Sequence, residues 1–564
     1  MTNEYDTDLL IVGAGPIGLA ASIIASKLGI NNRVIERRDG LHSLPQAHVI
    51  KTRSMEIFRR LGIENEIHQI DTPAAEQQYI VWRTSMTGPE YGHLNLQEKK
   101  GRCDRFLSVS PTFPANLPQN LLEPIIFKKA KNQPGSKIEF NTKFLEIQQD
   151  ASGVSALIED KQGNTKTIRA KYLIGADGAG SAVRKQLGIS FEGPPMLAQF
   201  CTIHLQSDFS DLTAQKPGVL YWILNPDVRG VFIVHNRRKS QVFMLPYDSE
   251  RLHPSDFDME KCRHLVTKAI GSSHAFNIVG IDQWTMSAQV ASQYRKGRAF
   301  LAGDAAHRFP PTGGLGLNTG IQDVNNLVWK LKVALMENGA NKLMDSYELE
   351  CRPVAKRNCD RSAHNHTAMA RVQELVGADK SKTEFQSSID TLFSEEQGTQ
   401  KDLVQAAIND QMKHFAAMDV EMAPTYEEGS FDTSTAHLEN KIPPIEGYAP
   451  SIKPGSPLPH ITLKNGASTL DCIAYDTLTL FIPSHQIKEW SQAVHSQTLP
   501  SSFHIKVVEL SDKEELDAWQ KVCGDRELVV LVRPDGHVGW VGDALSKEPQ
   551  QDLATGVSGI FGEC

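Results

Sequence analysis

The 564-residue chain carries eight cysteines and no C-x-x-C pair among them. Cys103, Cys201, Cys262, Cys351, Cys359, Cys472, Cys523 and Cys564 are scattered, without the pairing of a zinc site or the spacing of a disulfide framework. That argues against a structural metal and against thiol–disulfide catalysis, and it suits a reducing cytoplasm. A run of about 18 apolar residues is also missing, so no membrane-spanning helix is expected. There is no Lys/Arg block and the formal charge is −8, so nucleic acid is not an expected partner. The opening residues, MTNEYDTDLLIVGAGPIG, lack the basic-then-apolar pattern of a secretory leader. What is present, 40% hydrophobic and 22% charged residues, is an ordinary globular composition, long enough for roughly two to four domains.

Three short stretches stand out. The first begins with the apolar run Asp8–Val12, which reads as a buried parallel strand. It leads into Gly13-Ala14-Gly15-Pro16-Ile17-Gly18, a helix-like segment, and a second strand ending at Glu36. In such a unit the first glycine makes the tight turn, the second admits a pyrophosphate, and the third lets helix and strand pack closely. The acid then accepts from ribose hydroxyls. The motif alone does not separate FAD from NAD. Arg37 and Arg38 read either as a phosphate clamp or as a solvated face. The second stretch, KYLIGADGAGSAVRKQLGI, is a strand, an Asp177-Gly178 turn and a short helix with Arg184. The third is RAFLAGDAAHRFPPTGGLGLNTGIQD, a strand whose end presents Asp304, followed by a loop rich in glycine and proline.

Taken in order, these motifs resemble the class A flavoprotein aromatic hydroxylases, the para-hydroxybenzoate and phenol hydroxylase group. The resemblance runs on through DVNNLVWKLK and LMDSYELECRPVA, where Cys351 replaces the family's usual arginine. It implies FAD bound in an extended form, with Gly13, Gly15, Pro16 and Gly18 at the pyrophosphate and Glu36 and Arg37 at the adenosine end. Asp304 and Gln119 would hold the ribitol, and Gly314, Gly316, Leu317 and Asn318 would edge the flavin ring. Asp177 belongs to the fingerprint shared by FAD and a transient NADPH or NADH. Pro311, in the loop before that edge, is placed where O2 reacts. The stretch LPQAHVIKTRSMEIFRRLGI resembles the dichlorophenol and polyketide hydroxylase branch, with Gln46 where that branch has arginine. His48 is read either as the base that takes a phenolic proton or as a histidine that holds the flavin loop.

The fold class implied is α/β: a Rossmann-type FAD-binding domain interleaved with an α+β substrate domain, then a thioredoxin-like C-terminal domain. Residues 1–180 and 285–370 are assigned to FAD, with excursions into the substrate domain near 75–115. Residues 181–284 form the substrate sheet, 371–450 a helical segment and linker, and 451–564 the last domain. On that sheet Tyr221, Trp222, His235 and Phe243 are candidate pocket residues. The resemblance implies an NAD(P)H- and O2-dependent monooxygenase that hydroxylates a small phenolic or related electron-rich aromatic compound through a flavin hydroperoxide. A Baeyer–Villiger or epoxidising tailoring enzyme acting on a polycyclic or polyketide substrate would share every FAD motif, and a non-catalytic flavoprotein is a third reading. No metal is expected; a homodimer is compatible with the reading.

Overall fold

The computed structural model describes residues 5–96, 102–337, 340–394, 398–415, 417–432, 434, 444, 447–524 and 526–562. Its first sheet places five parallel strands in the order Ala299–Leu301, Thr165–Gly175, Thr7–Val12, Asn32–Ile35, Ser136–Glu139. Leu9 to Val12 are all buried, which a strand covered on both faces by helices requires. The Pro16–Lys27 helix packs on one side, against the Gly316–Met336 helix. The first and third motifs, nearly 300 residues apart in the chain, thereby meet at one end of this sheet.

A second sheet of seven strands stands beside it, ordered Asn277–Met286, Ala198–Gln206, Ser240–Tyr247, Arg229–Asn236, Gly218–Leu224, Tyr79–Arg83, Glu90–Asn95. The Met259–Ile270 helix seals its outer face over a core that includes Cys201, Tyr221, Phe232, Phe243 and Val266. The inner face turns toward the FAD-type domain. The 36-residue helix Asn341–Val376 crosses from one sheet to the other. Its C-terminal half joins the Lys382–Phe393 and Gly398–Asp410 helices over Ile80, Trp82 and Leu94.

The C-terminal sheet runs His504–Leu510, Thr477–Pro483, Leu528–Val532, Val538–Asp543, the first pair parallel and the rest antiparallel. With the helices Ile487–His495, Lys513–Cys523 and Pro549–Phe561, this is the β-α-β then β-β-α order of a thioredoxin-like fold. The proline-rich stretch Lys441–His460 lies partly outside the described residues. Its second half is not merely a spacer, since Ile452 and Leu458 enter the C-terminal core. Among the described residues no helix is long and apolar enough to cross a membrane.

One buried cluster bolts this domain on. Glu350, on the long helix, accepts from Arg533 Nη1 and Nη2 at 2.8 Å each, from Lys330 Nζ at 2.7 Å and from the Ser430 amide at 2.7 Å. Arg533 also pairs with Asp535. Burial raises the Glu350 pKa, but Arg533 and then Lys330 outweigh it and hold it at about 2. Replacing Glu350 with Gln leaves buried Lys330 without a carboxylate and Arg533 with Asp535 alone, a loss of about 3–5 kcal/mol by the usual cost of breaking a buried pair. Urea unfolding of Glu350→Gln is expected to show that loss, with earlier proteolytic release of the C-terminal domain.

Candidate active site

The glycine turn is shaped by contact. Gly13 has φ +109°, and a Cβ there would lie 2.2 Å from the Ala176 carbonyl oxygen. A Cβ on Gly18 would lie 2.0 Å from the Gly13 oxygen. Gly15, at the N-cap of the Pro16–Lys27 helix, differs: a Cβ there meets no protein atom within 4 Å. Two glycines thus close the turn and the middle one borders open space, at a helix N-terminus suited to phosphate. Glu36 is buried over this turn and accepts from the Ala14 amide at 2.9 Å and from the Arg38 amide and Nε at 3.0 Å. Arg38, not Arg37, therefore grips it, and Arg37 is exposed.

Asp177 accepts from Ser181 Oγ at 2.5 Å and from the Ala182 and Val183 amides at 2.7 and 3.1 Å. It caps the short Ala182–Gln186 helix, and burial raises its pKa. Asp304 ends the Ala299–Leu301 strand with its carboxylate open to the groove and no hydrogen-bond partner among the described residues. Crowding by the groove walls raises its pKa, with His307 and Arg308 opposing. Gln119 opens the Gln119–Lys131 helix but turns its amide to Glu123 Oε1, 2.6 Å away. Gln46 is exposed and reaches only His42 Nε2, at 3.0 Å.

The glycine-rich loop is held from both sides. Gly314 accepts from Asn318 Nδ2 at 2.6 Å, and the Pro311 oxygen accepts from the Gly314 amide at 3.0 Å. Asn318 also receives the Lys51 amide at 2.8 Å and donates to the Val49 oxygen at 2.9 Å, tying the loop to the segment that carries His48. Pro311 is exposed and Pro310 buried. The helix begins at Gly316, where the Thr319 amide already donates to the Leu315 oxygen. Gly316 and Leu317 are thus first-turn residues, and a Cβ on Gly316 meets only open space. Sequence reasoning missed the residues that fix this geometry. Buried Asp323 accepts from the Gly303 amide and His307 Nε2, both at 2.9 Å, and Thr312 Oγ1 donates to the Ser362 oxygen at 2.7 Å. The final aspartate of GIQD was the available signal for the first; nothing in sequence marked Ser362.

These features fit FAD. The open space at Gly15 and Gly316, the unpartnered Asp304 and two helix N-termini suit a long dinucleotide with a pyrophosphate and a polar ribityl chain. Bound there, FAD would supply oxygen-transfer chemistry with NAD(P)H and O2.

On the substrate side a directional chain appears. Thr72 Oγ1 donates to the His235 oxygen at 2.8 Å and so accepts from Asn116 Nδ2 at 3.1 Å. Asn116 Oδ1 consequently faces His48 Nδ1, 2.6 Å away, and accepts its proton. Neutral His48 therefore keeps its lone pair on Nε2. Its ring meets His235 edge-on, centroids 4.9 Å apart, where a register shift between Val234 and Asn236 re-aims the strand. Burial lowers the His48 pKa against the Asn116 bond, and burial with His48 and His204 lowers that of His235 further. Of the four expected pocket residues, His235 joins His48, and Trp222 lies on the same inner face, stacked on Trp82 at 6.5 Å. Tyr221 and Phe243 are a correction. The strands' alternation turns both outward, where the covering helix leaves them 1% and 0% exposed.

The two glycines make separable predictions. Gly15→Ala is expected to keep the stability of the apoprotein and lose most FAD on gel filtration, because its Cβ enters only the open space. Gly13→Ala is expected to lower both, read by thermal unfolding and the flavin-to-protein absorbance ratio. Normal FAD retention by Gly15→Ala would remove the pyrophosphate from this turn.

Comparison with known proteins agrees with this geometry. Residues 6–362 match the FAD binding domain family and residues 451–564 match the aromatic-ring hydroxylase C-terminal family. The chain is 31% identical to 2,4-dichlorophenol 6-monooxygenase of Cupriavidus pinatubonensis, covering 100% of this chain and 97% of that one. It is 29% identical to phenol 2-monooxygenase of a Pseudomonas species, over 99% and 93% of the two chains. The flavin-dependent monooxygenase PieE, solved with FAD and substrate, superposes with a TM-score of 0.90 at 29% identity, over 99% of this chain and 100% of that one. The chain belongs to the FAD-binding aromatic-ring hydroxylases and is an FAD-dependent aromatic monooxygenase.

Proposed function

We propose that the protein hydroxylates a phenol whose hydroxyl hands its proton to His48 Nε2. The observation that carries this reading is the chain Thr72–Asn116–His48, which fixes the tautomer with its basic nitrogen free. Val49, the next residue, packs on Gly314, so the base and the ring-edge loop are held in one unit. Removing the phenolic proton raises the electron density of the ring that oxygen must attack. Burial favours the neutral imidazole, so the base stays available below the usual histidine range. Asn116 accepts the Nδ1 proton without taking up a charge of its own. Residues 1–180 and 285–370 carry the cofactor in this proposal, 181–284 shape the substrate pocket, and 451–564 brace the cofactor domain. A Baeyer–Villiger or epoxidising reaction needs no phenolic base, which is why the fixed His48 favours hydroxylation.

His48→Ala is expected to slow product formation by about 10²- to 10⁴-fold with FAD content unchanged. Phenol-stimulated NAD(P)H oxidation with quantified product is the measurement, and equal product rates would end the base role. The wild-type rate is expected to rise with pH as His48 loses its proton, with a midpoint below about 6.5. Asn116→Asp places a carboxylate beside Nδ1, stabilises the charged ring, and is expected to move that midpoint upward.

A further inference from the structure

His48 is followed by a two-residue strand, Val49–Ile50, and then by the Thr52–Leu61 helix. The strand pairs antiparallel with Ala115–Asn116, and the Leu117 amide donates to the His48 oxygen at 2.8 Å. That pairing sets Asn116 beside the His48 ring, so a slip along it would break the bond at Nδ1. Two residues of pairing are too few to hold a register alone. The helix that follows supplies no anchor of its own. Its N-cap, Lys51, makes no side-chain cap bond, and its first turn carries no acid.

The missing acid comes from 369 positions away. Buried Glu421, in the Met418–Met422 helix, accepts through Oε1 from the Thr52 amide and Thr52 Oγ1, at 2.7 Å each. Its Oε2 faces Lys51 Nζ at 3.3 Å, the two side chains 3% and 7% exposed. The next carbonyl, that of Met422, accepts from Arg53 Nε and Nη2 at 2.9 and 2.7 Å. One carboxylate therefore serves as the N-cap, faces the positive end of the helix and pairs with a buried cation. Lys51 in turn gives its amide to Asn318 of the glycine-rich loop, so Glu421 stands behind both halves of the candidate site.

The segment that carries Glu421 is gripped from behind by the C-terminal domain. His537 Nε2 donates to the Pro424 oxygen at 3.2 Å, and the Tyr426 ring stacks on His537 with centroids 4.2 Å apart. The Tyr426 amide donates to the Gly455 oxygen at 2.9 Å, and Arg533 Nη1 donates to the Ser430 oxygen at 3.1 Å. We propose that Glu421 is a positioning residue for the reaction. Held by the C-terminal domain, it fixes the start of the Thr52–Leu61 helix and with it the place of His48 Nε2. This rests on the reading of His48 as the base; Glu421 acts through His48 and not on the substrate.

The test compares FAD-loaded Glu421→Ala, His48→Ala and the double variant on phenol and on a fluorinated phenol already ionised at the assay pH. Glu421→Ala is expected to lower kcat for phenol about 10- to 100-fold with KM little changed, as a small misplacement of a reacting group does. The ionised phenol has no proton to give, so both single variants are expected to fall within about threefold of wild type on it. The double variant is expected to be no slower than His48→Ala. Lys51→Met combined with Glu421→Gln keeps the acceptor for Thr52, removes both charges, and is expected to restore phenol turnover to within about threefold. In the apoprotein, amide exchange over residues 49–55 is expected to quicken in Glu421→Ala. Normal phenol turnover by Glu421→Ala, or unchanged exchange over 49–55, overturns the inference. So does a loss that is equal for the two phenols or that adds to the loss in His48→Ala, and these leave the base role standing. A His48→Ala enzyme as fast as wild type sinks the base reading, and the inference with it. Should Glu421→Ala fail to fold, Glu421→Asp, whose shorter chain draws the carboxylate back from Thr52, is read for the same pattern.

Discussion

The buried carboxylate of Glu350 is the constraint on which the rest of the molecule depends. It lies where the long helix, the Gly316–Met336 helix, the segment around Ser430 and the C-terminal domain converge. With two cations and two further donors around it, it is ionised in a place where a lone charge would be intolerable. The network thus fixes the register of the Gly316–Met336 helix from behind. The same helix presents Gly316, Leu317 and Asn318 to the cofactor groove at its front. The thioredoxin-like domain, with no paired cysteines among its described residues, meets the long helix through this network.

The candidate active site joins two loops that belong to different parts of the chain and share hydrogen bonds. Asn318 joins them through Lys51 and Val49, and Asp323 closes the strand end that presents Asp304. His48 is oriented from a third direction, by Asn116 and Thr72, and Thr72 in turn anchors the bulged strand at His235. The cofactor-type and seven-stranded sheets are therefore joined by polar contacts around His48, while Ile233 and Met244 beyond it are apolar. That division suits a reaction in which one proton must be handled at a fixed atom and water kept from the rest.

Much of this was legible in the sequence, for a local reason. The turn at Gly13–Gly18, the strand before it, and the acid after it are set by backbone sterics within some thirty residues, so their spacing reports their geometry. The strands Gly218–Leu224, Arg229–Asn236 and Ser240–Tyr247 announce themselves by composition and turns in the same way. Those signals identify a dinucleotide fold, a third motif that packs beside the glycine turn and a β-sheet domain between them.

What the sequence could not decide was which face of each strand looked inward. Tyr221 and Trp222 are neighbours of similar chemistry, yet one is sealed in the outer core and the other turns to the inner face, stacked on Trp82. Alternation states that they point apart; only the covering helix decides which side is which. The same holds for His48, whose tautomer depends on Asn116, 68 positions away, and for Glu350, whose main partner is 183 positions away. Short-range geometry is written in the order of residues. The direction of a proton and the sign of a buried charge are properties of groups brought together from distant segments, and only the tertiary structure sets them.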